Sequence, residues 1–273
     1  MVNGFSPATL KEALEIRARQ QVIPYAGGTD LMLNPNPDAV YLFVNQIAEM
    51  KRIVQKDELL HLGAACTYTQ LLEHPLTPAI LKEAIALIAA PAIRNEGTIG
   101  GNIANGSAKA DSVLIFFVAD ASIRLSSLSG ERVIPIKAFY QDRKRLDLHD
   151  DELITEIILP TQWLEHYYYK KVGARKALAI SRVDFAGLMT VKDGRIKHCA
   201  TAFGAISGVI LRRPDLDELL IGQTLAEASR LKAAYLASYA EVIAPIKGRV
   251  SAEYRKEVCL NLLEDFLNSN GIR

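Results

Sequence analysis

Residues 9–19 space Leu10, Ala13, Leu14 and Ile16 along one helical face, with Thr9 as N-cap and Glu12 as its capping-box partner three residues on. Short apolar strands are predicted at 22–25 and 40–44. Asn34-Pro35-Asn36-Pro37 separates them, each proline pushing its predecessor out of helical space. The first fifty residues thus predict a small β-α-β-β unit. A strand follows at 59–65, then helices at 68–73 and 79–90, held apart by Pro75 and Pro78. An apolar run from Val113 to Ala119 predicts a buried helix from about Ser112. Strands at 122–127 and 132–136 flank Ser129-Gly130, and a strand at 153–159 stops at Pro160. Residues 142–151, DRKRLDLHDD, read as a solvated loop, with a docking surface for a partner as the lesser reading.

The pattern changes after Pro160. Strands are predicted at 166–172, 185–191 and 195–203, the last two joined by Asp193-Gly194, the strongest two-residue hairpin signal. Helical periodicity follows at 215–220, 225–243 and 252–268. Three antiparallel strands followed by helices predict a separate α+β domain. The chain therefore divides into 1–160, with a small βαββ subdomain at 1–55 and a larger α/β subdomain at 56–160, and a C-terminal α+β domain at 161–273.

Composition narrows the function. Of 273 residues, 49% are hydrophobic, ample for these cores, and the net charge of +1 points to neither nucleic acid nor an acidic membrane surface. No apolar run approaches the roughly 18 residues of a membrane span. The start, MVNGFSPATLKEAL, lacks the charged-then-apolar order of a signal peptide. Cys66, Cys199 and Cys259 are odd in number and far apart. They read as separate buried thiols in a reducing, cytoplasmic setting, and they cannot supply the four close thiolates an iron–sulfur cluster usually takes. The five histidines show no metal spacing, and no G-x-S-x-G elbow occurs. Trp163 carries no signal. Tyr167-Tyr168-Tyr169 alternate between the faces of a strand, as filling or, beside Lys170, as an aromatic near a cofactor.

The remaining chemistry sits in two Gly-Gly segments about seventy residues apart. Ala26-Gly27-Gly28-Thr29-Asp30-Leu31 follows the first predicted strand. Thr98-Ile99-Gly100-Gly101-Asn102 is trailed by Asn105, Ser107 and Asp111. Paired glycines permit positive φ and close backbone approach, and their amides can face an anion. Neither segment matches G-x-G-x-x-G or the P-loop. Each alone is as readily an ordinary tight turn. Together they suggest one extended ligand, such as a dinucleotide, gripped from both sides. Asp111 also reads as the N-cap of the helix at Ser112.

AGGTDL followed by IRNxGTIGGNI, with an aspartate ten residues after the second glycine of TIGG, resembles the FAD-binding subunit of the molybdenum hydroxylases, the family of xanthine, carbon monoxide and nicotinate dehydrogenases. The resemblance continues through DELITEIILP at 151–160, Tyr169-Lys170-Lys171 with Arg175 and Ala179-Ile180, Phe203-Gly204-Ala205 and Arg212-Arg213-Pro214, so it covers nearly the whole chain. It implies a two-part FAD-binding domain of the PCMH type and a smaller α+β domain. On the matching positions, Ala26, Gly27, Gly28, Thr29, Asp30 and Leu31, with Thr98, Ile99, Gly100, Gly101 and Asn102, would hold the pyrophosphate and adjoining parts of FAD. Ser107 and Asp111 would bind its polar parts, Asp111 the ribityl hydroxyls. Ile154, through its backbone, and Lys170 would lie near the flavin ring.

The resemblance implies no catalytic acid or base and no metal ligand in this chain. It implies two partners, a molybdopterin-binding large subunit that oxidises the substrate and a 2Fe-2S small subunit that delivers electrons singly. FAD would pass pairs of electrons to NAD⁺ or another acceptor, most simply in a xanthine dehydrogenase-like complex. Substrate choice would belong to the molybdenum subunit. Two alternatives remain at this stage: a self-sufficient FAD oxidoreductase of the same fold, and a non-catalytic nucleotide-binding protein.

Overall fold

The computed structural model describes residues 3–176 and 178–273; Met1 and Val2, which open the stretch read for a signal pattern, and Ala177 lie outside the described residues. The chain begins β1 (Asn3–Phe5), α1 (Leu10–Arg19), β2 (Ile23–Tyr25), β3 (Val40–Phe43), β4 (Ile53–Lys56), β5 (Leu59–Gly63), α2 (Tyr68–Glu73) and α3 (Ala79–Ala86). It continues with α4 (Pro91–Glu96), α5 (Ile99–Ala104), α6 (Asp111–Val118), β6 (Ser122–Ser127), β7 (Gly130–Pro135), α7 (Ile136–Phe139), β8 (Tyr140–Asp142), β9 (Arg145–Leu146) and β10 (Leu153–Pro160). Then come β11 (Tyr167–Val172), β12 (Val183–Lys192), β13 (Arg195–Gly204), β14 (Leu211–Arg212), α8 (Pro214–Asp217), α9 (Leu225–Val242) and α10 (Ala252–Ser269).

These elements form two compact units, each assembled from separated pieces of sequence. The first contains residues up to 77, 88–106 and 120–161; the second contains 78–87, 107–119 and 162–273. Two helices from before Pro160, α3 and α6, thus pack with the C-terminal strands. The reason is plain for α6, whose eight residues are all buried and need apolar cover on every side.

In the first unit, β1, β3 and β2 form a parallel sheet in that order. A second sheet, antiparallel, runs β4-β5-β10-β6-β7. β10 sits at its centre and buries six of its eight residues, because both its faces are covered; α5 packs against it. Thr9 caps α1 by accepting from the Glu12 amide (3.2 Å), but Glu12 closes back on the amide of Ala8 (2.8 Å) rather than of Thr9, so the expected capping box is displaced by one residue. The stretch 142–151 is not simply a solvated loop. None of its residues is buried, but it carries the end of β8 and all of β9, and Arg132 holds it at Asp147 (2.7 Å) while forking onto the adjoining Glu152 (2.6 and 2.8 Å).

The second unit carries an antiparallel sheet of four strands, β11-β12-β13-β14, where three were expected. The two-residue β14 is too short to leave a periodic trace. Asp193 and Gly194 both take positive φ (53° and 71°), the turn that the Asp-Gly signal demands. Phe185, Phe203, Tyr235, Tyr239, Leu263 and Phe266 form the core on the α9 and α10 side of the sheet. β12 buries seven consecutive residues because α6 covers its other face. Tyr168 is therefore packed against Phe185 and Phe266, while Tyr169 is buried on the opposite side. Trp163 stacks on His198, the rings 5.2 Å apart and 8° from parallel. All three cysteines are buried free thiols.

Candidate FAD-binding site

In the first unit, β2 delivers the chain into Gly27-Gly28. Gly28 adopts φ +66°, closed to most side chains, and a Cβ on Gly27 would lie 1.8 Å from the Glu96 carbonyl oxygen. The first Gly-Gly segment therefore touches the backbone just ahead of the second through main-chain atoms alone. The second segment is not the left-handed loop that its glycines suggested. It is the opening turn of α5, capped by Thr98, whose Oγ1 accepts from the Gly101 amide at 3.1 Å. Neither Gly100 nor Gly101 takes positive φ.

Their glycine requirement has two other causes. At Gly100 a Cβ would come within 2.6 Å of the Ala64 Cβ and 2.7 Å of the Ala64 carbonyl, so this glycine serves close packing onto β5's end. At Gly101 a Cβ would approach only the Thr98 hydroxyl, at 2.9 Å, and otherwise project outward from an exposed backbone. The Thr67–Thr98 bridge and the Ile99 amide's bond to Cys66 O (3.1 Å) anchor the turn from behind.

Both segments open on one cavity of about 380 Å³, within the range of small-molecule sites, where their polar groups meet apolar residues such as Ile23 and Leu148. Gly27, Gly28, Thr29, Asp30 and Leu31 line it from one side, and Thr98, Gly101 and Asn102 from the other. Beside it lies a smaller, mostly apolar slot of about 90 Å³, whose walls include Ala26, Gly100, Ile154, Pro24 and Ala104, with Glu152 also on its lining. Ile99 does not line either; it is buried in the core beneath. Sequence reasoning missed Arg17, which edges the larger cavity from the last turn of α1. Its guanidinium donates to Glu152 O (2.7 Å) and Val22 O (3.0 Å). Burial pulls its pKa down, while Asp150, Asp151 and Glu152 hold it up. Only the helical register of 9–19, which turns Arg17 toward β2, hinted at this position.

Ser107, Asp111 and Lys170 belong to the second unit. Asp111 is the first residue of α6 rather than its N-cap, a place taken by Ala110. Its Oδ2 accepts from Lys171 Nζ and its Oδ1 from Ser181 Oγ, each at 2.6 Å. Lys171, not Lys170, is thus the lysine that meets Asp111; it also donates to Leu87 O at 2.9 Å. Lys170 is exposed, with its ammonium 5.7 Å from the Tyr168 ring centroid. Ser107 is half-buried and accepts from the Lys109 amide (3.2 Å).

A paired-glycine cradle with a cation on its rim suits an anionic ligand that lies along exposed backbone. The chain matches the family model described as FAD binding domain in molybdopterin dehydrogenase over residues 1–162, and that of the CO dehydrogenase flavoprotein C-terminal domain over 167–269. It is 31% identical to the nicotinate dehydrogenase FAD-subunit of Eubacterium barkeri, across 93% of this chain and 90% of that protein. It is 33% identical to the putative xanthine dehydrogenase FAD-binding subunit XdhB of Escherichia coli (strain K12), across 75% of this chain and 74% of that one. The fold superposes on a chain of carbon monoxide dehydrogenase from Hydrogenophaga pseudoflava with a TM-score of 0.87 at 22% identity, covering 98% of this chain and 96% of that one. The chain belongs to the FAD-binding subunits of the molybdenum hydroxylase family. It is a flavoprotein component of an oxidoreductase, and its cofactor is FAD.

The residues present fit that cofactor. The exposed backbone of Gly101 leaves room where a side chain would intrude, and Arg17 brings positive charge to the edge of the cavity, as a pyrophosphate needs.

Proposed function

We propose that this chain conducts electrons between a 2Fe-2S partner subunit and NAD⁺ or another soluble acceptor, within a complex whose molybdopterin-binding large subunit oxidises the substrate. A xanthine dehydrogenase-like complex is the first candidate, since relatives of this chain include a putative xanthine dehydrogenase subunit and a nicotinate dehydrogenase subunit. FAD supplies stable one- and two-electron states, which suit a junction between single-electron and hydride carriers.

The observation that carries this reading is the glycine cradle itself. Ala26 through Leu31, with Thr98, Gly101 and Asn102, all line the two cavities and would hold the pyrophosphate and its neighbouring sugar atoms, with Arg17 to balance charge and Gly100 and Ile154 near the ring. The resemblance adds Ile99, Ser107, Asp111 and Lys170 as further residues of the FAD site. In this reading the cradle residues bind and orient FAD, and none acts as a catalytic acid or base.

The test uses the purified chain reconstituted with FAD. NADH should bleach the flavin under anaerobic conditions, and the chain alone should not turn over xanthine, nicotinate or carbon monoxide. Absence of bleaching would assign a different acceptor. Turnover of such a substrate by the isolated chain would overturn the subunit role.

A further inference from the structure

Asp184 lies on the α6 side of the second unit's sheet. Its ladder partners are Lys171 on β11 and Gly204 on β13. It is fully buried, and a Cβ at position 204 would come within 2.2 Å of its Oδ1, so the glycine of Phe203-Gly204-Ala205 leaves the carboxyl its space. Apart from its own backbone N–H, no donor among the described residues reaches either Asp184 oxygen. The group it faces at hydrogen-bonding range is the carboxylate of Asp111, itself an acceptor that already holds Lys171 and Ser181.

Two buried carboxylates in contact cannot both stay ionised beside a single lysine. Like charges repel at short range, and two acceptors make no hydrogen bond unless one keeps a proton. We propose that Asp184 is retained as a neutral carboxylic acid that donates its proton to Asp111, so that Asp111, Asp184 and Lys171 together hold one extra proton and carry no net charge. Asp184 is then a positioning residue. It fixes the Asp111 carboxylate from the sheet side while Lys171 and Ser181 fix it from theirs. This holds whether or not Asp111 touches a cofactor.

The surrounding groups agree. Tyr169 on β11 is buried with its hydroxyl unpaired, and burial together with Asp111, Asp184 and Glu83 of α3 pushes its pKa up. Cys259 on α10 is pushed up to about 12, chiefly by burial and then by Asp184. Arg255 on α10 directs its Nη1 to the carbonyls of Ala205 and Ile246, and its Nε is buried without a hydrogen-bond partner among the described residues. Lys171 is left as the cation that answers the two carboxylates.

A proton bound in the folded state but released in the unfolded chain above about pH 4 makes stability fall as pH rises, by one proton, until Asp184 itself ionises. Asp184→Asn keeps a donor toward Asp111 and needs no proton. Thermal and urea unfolding of the full chain and of D184N, with and without added FAD, should diverge. Above about pH 5 the folding constant of the parent should fall relative to that of D184N by about tenfold per pH unit for as long as Asp184 keeps its proton. Parallel pH profiles, with D184N weaker throughout, would overturn the proposal. Carbon-13 NMR of aspartate-labelled parent chain needs no Asp184 variant. One carboxyl signal, moved by Ser181→Ala, should remain at its protonated position at pH 7. If every aspartate signal sensitive to that change titrates below pH 5, Asp184 is ionised and the proposal is wrong.

Discussion

Gly101→Val separates ligand binding from folding. Gly101 sits in the third position of α5 with helical backbone, so a side chain costs nothing in φ, and valine is by propensity a slightly better helix former than glycine. The one close contact is with the Thr98 hydroxyl at 2.9 Å, which a small shift of the cap relieves. Stability should therefore change by no more than about 1 kcal/mol. The valine methyls, however, would stand in the larger cavity, where the proposed site brings phosphate oxygens to the backbone. Displacing two charge-assisted hydrogen bonds, at about 1.5–3 kcal/mol each, weakens binding by about 3–6 kcal/mol, or roughly two to four orders of magnitude in Kd. The measurement is FAD titration by fluorescence alongside a thermal melt without FAD. A variant with the parent's melting temperature and a Kd within threefold of the parent's would show that phosphate does not pass Gly101.

Gly27→Ala should behave differently. Its Cβ would overlap the Glu96 carbonyl, so the apoprotein melt itself should drop by several degrees along with flavin content; an unchanged melt would refute the contact. Asp217, buried beneath α9, accepts from Arg212, Thr201, Tyr235 and Tyr239; Asp217→Ala should cost about 3–5 kcal/mol by urea unfolding, because it removes the carboxylate from a buried ion pair and from three further donors. The three thiols should resist a thiol reagent at pH 8 in the native state and all react after unfolding, since burial pushes Cys66 up to about 11 and Cys259 up to about 12. Fast native labelling of Cys66 would mean that the turn at Thr98 opens.

Elements with strong local periodicity were readable in the sequence almost to the residue: α2, β6, and the hairpin of β12 and β13 with its Asp-Gly turn. Both glycine segments were also legible, but for a partly wrong reason. Positive φ explains Gly28 alone. Gly27 and Gly100 are set by backbone atoms distant in sequence, which no local pattern encodes. The same holds for Arg17, drawn to the cavity edge by a carbonyl at residue 152, and for the neighbouring lysines, where only the ladder register of β11 against β12 decides which one meets Asp111. β4 and β14 were missed because they are short segments that owe their strand conformation to a neighbour already in the sheet.

Helices α3 and α6 come from the middle of the FAD-domain match yet complete the C-terminal unit, where α6 brings Asp111 to Lys171 and Ser181. The junction at 162–167 is thus a seam in sequence only. A fragment starting there would be synthesised with one sheet face bare and with Asp184 and Lys171 lacking Asp111, so it should aggregate when expressed alone. Splitting the gene at that point should give soluble protein only if both halves are made in the same cell. By the same logic, grafting the flavin half onto another carrier at residue 162 would carry off two helices that the remaining half needs.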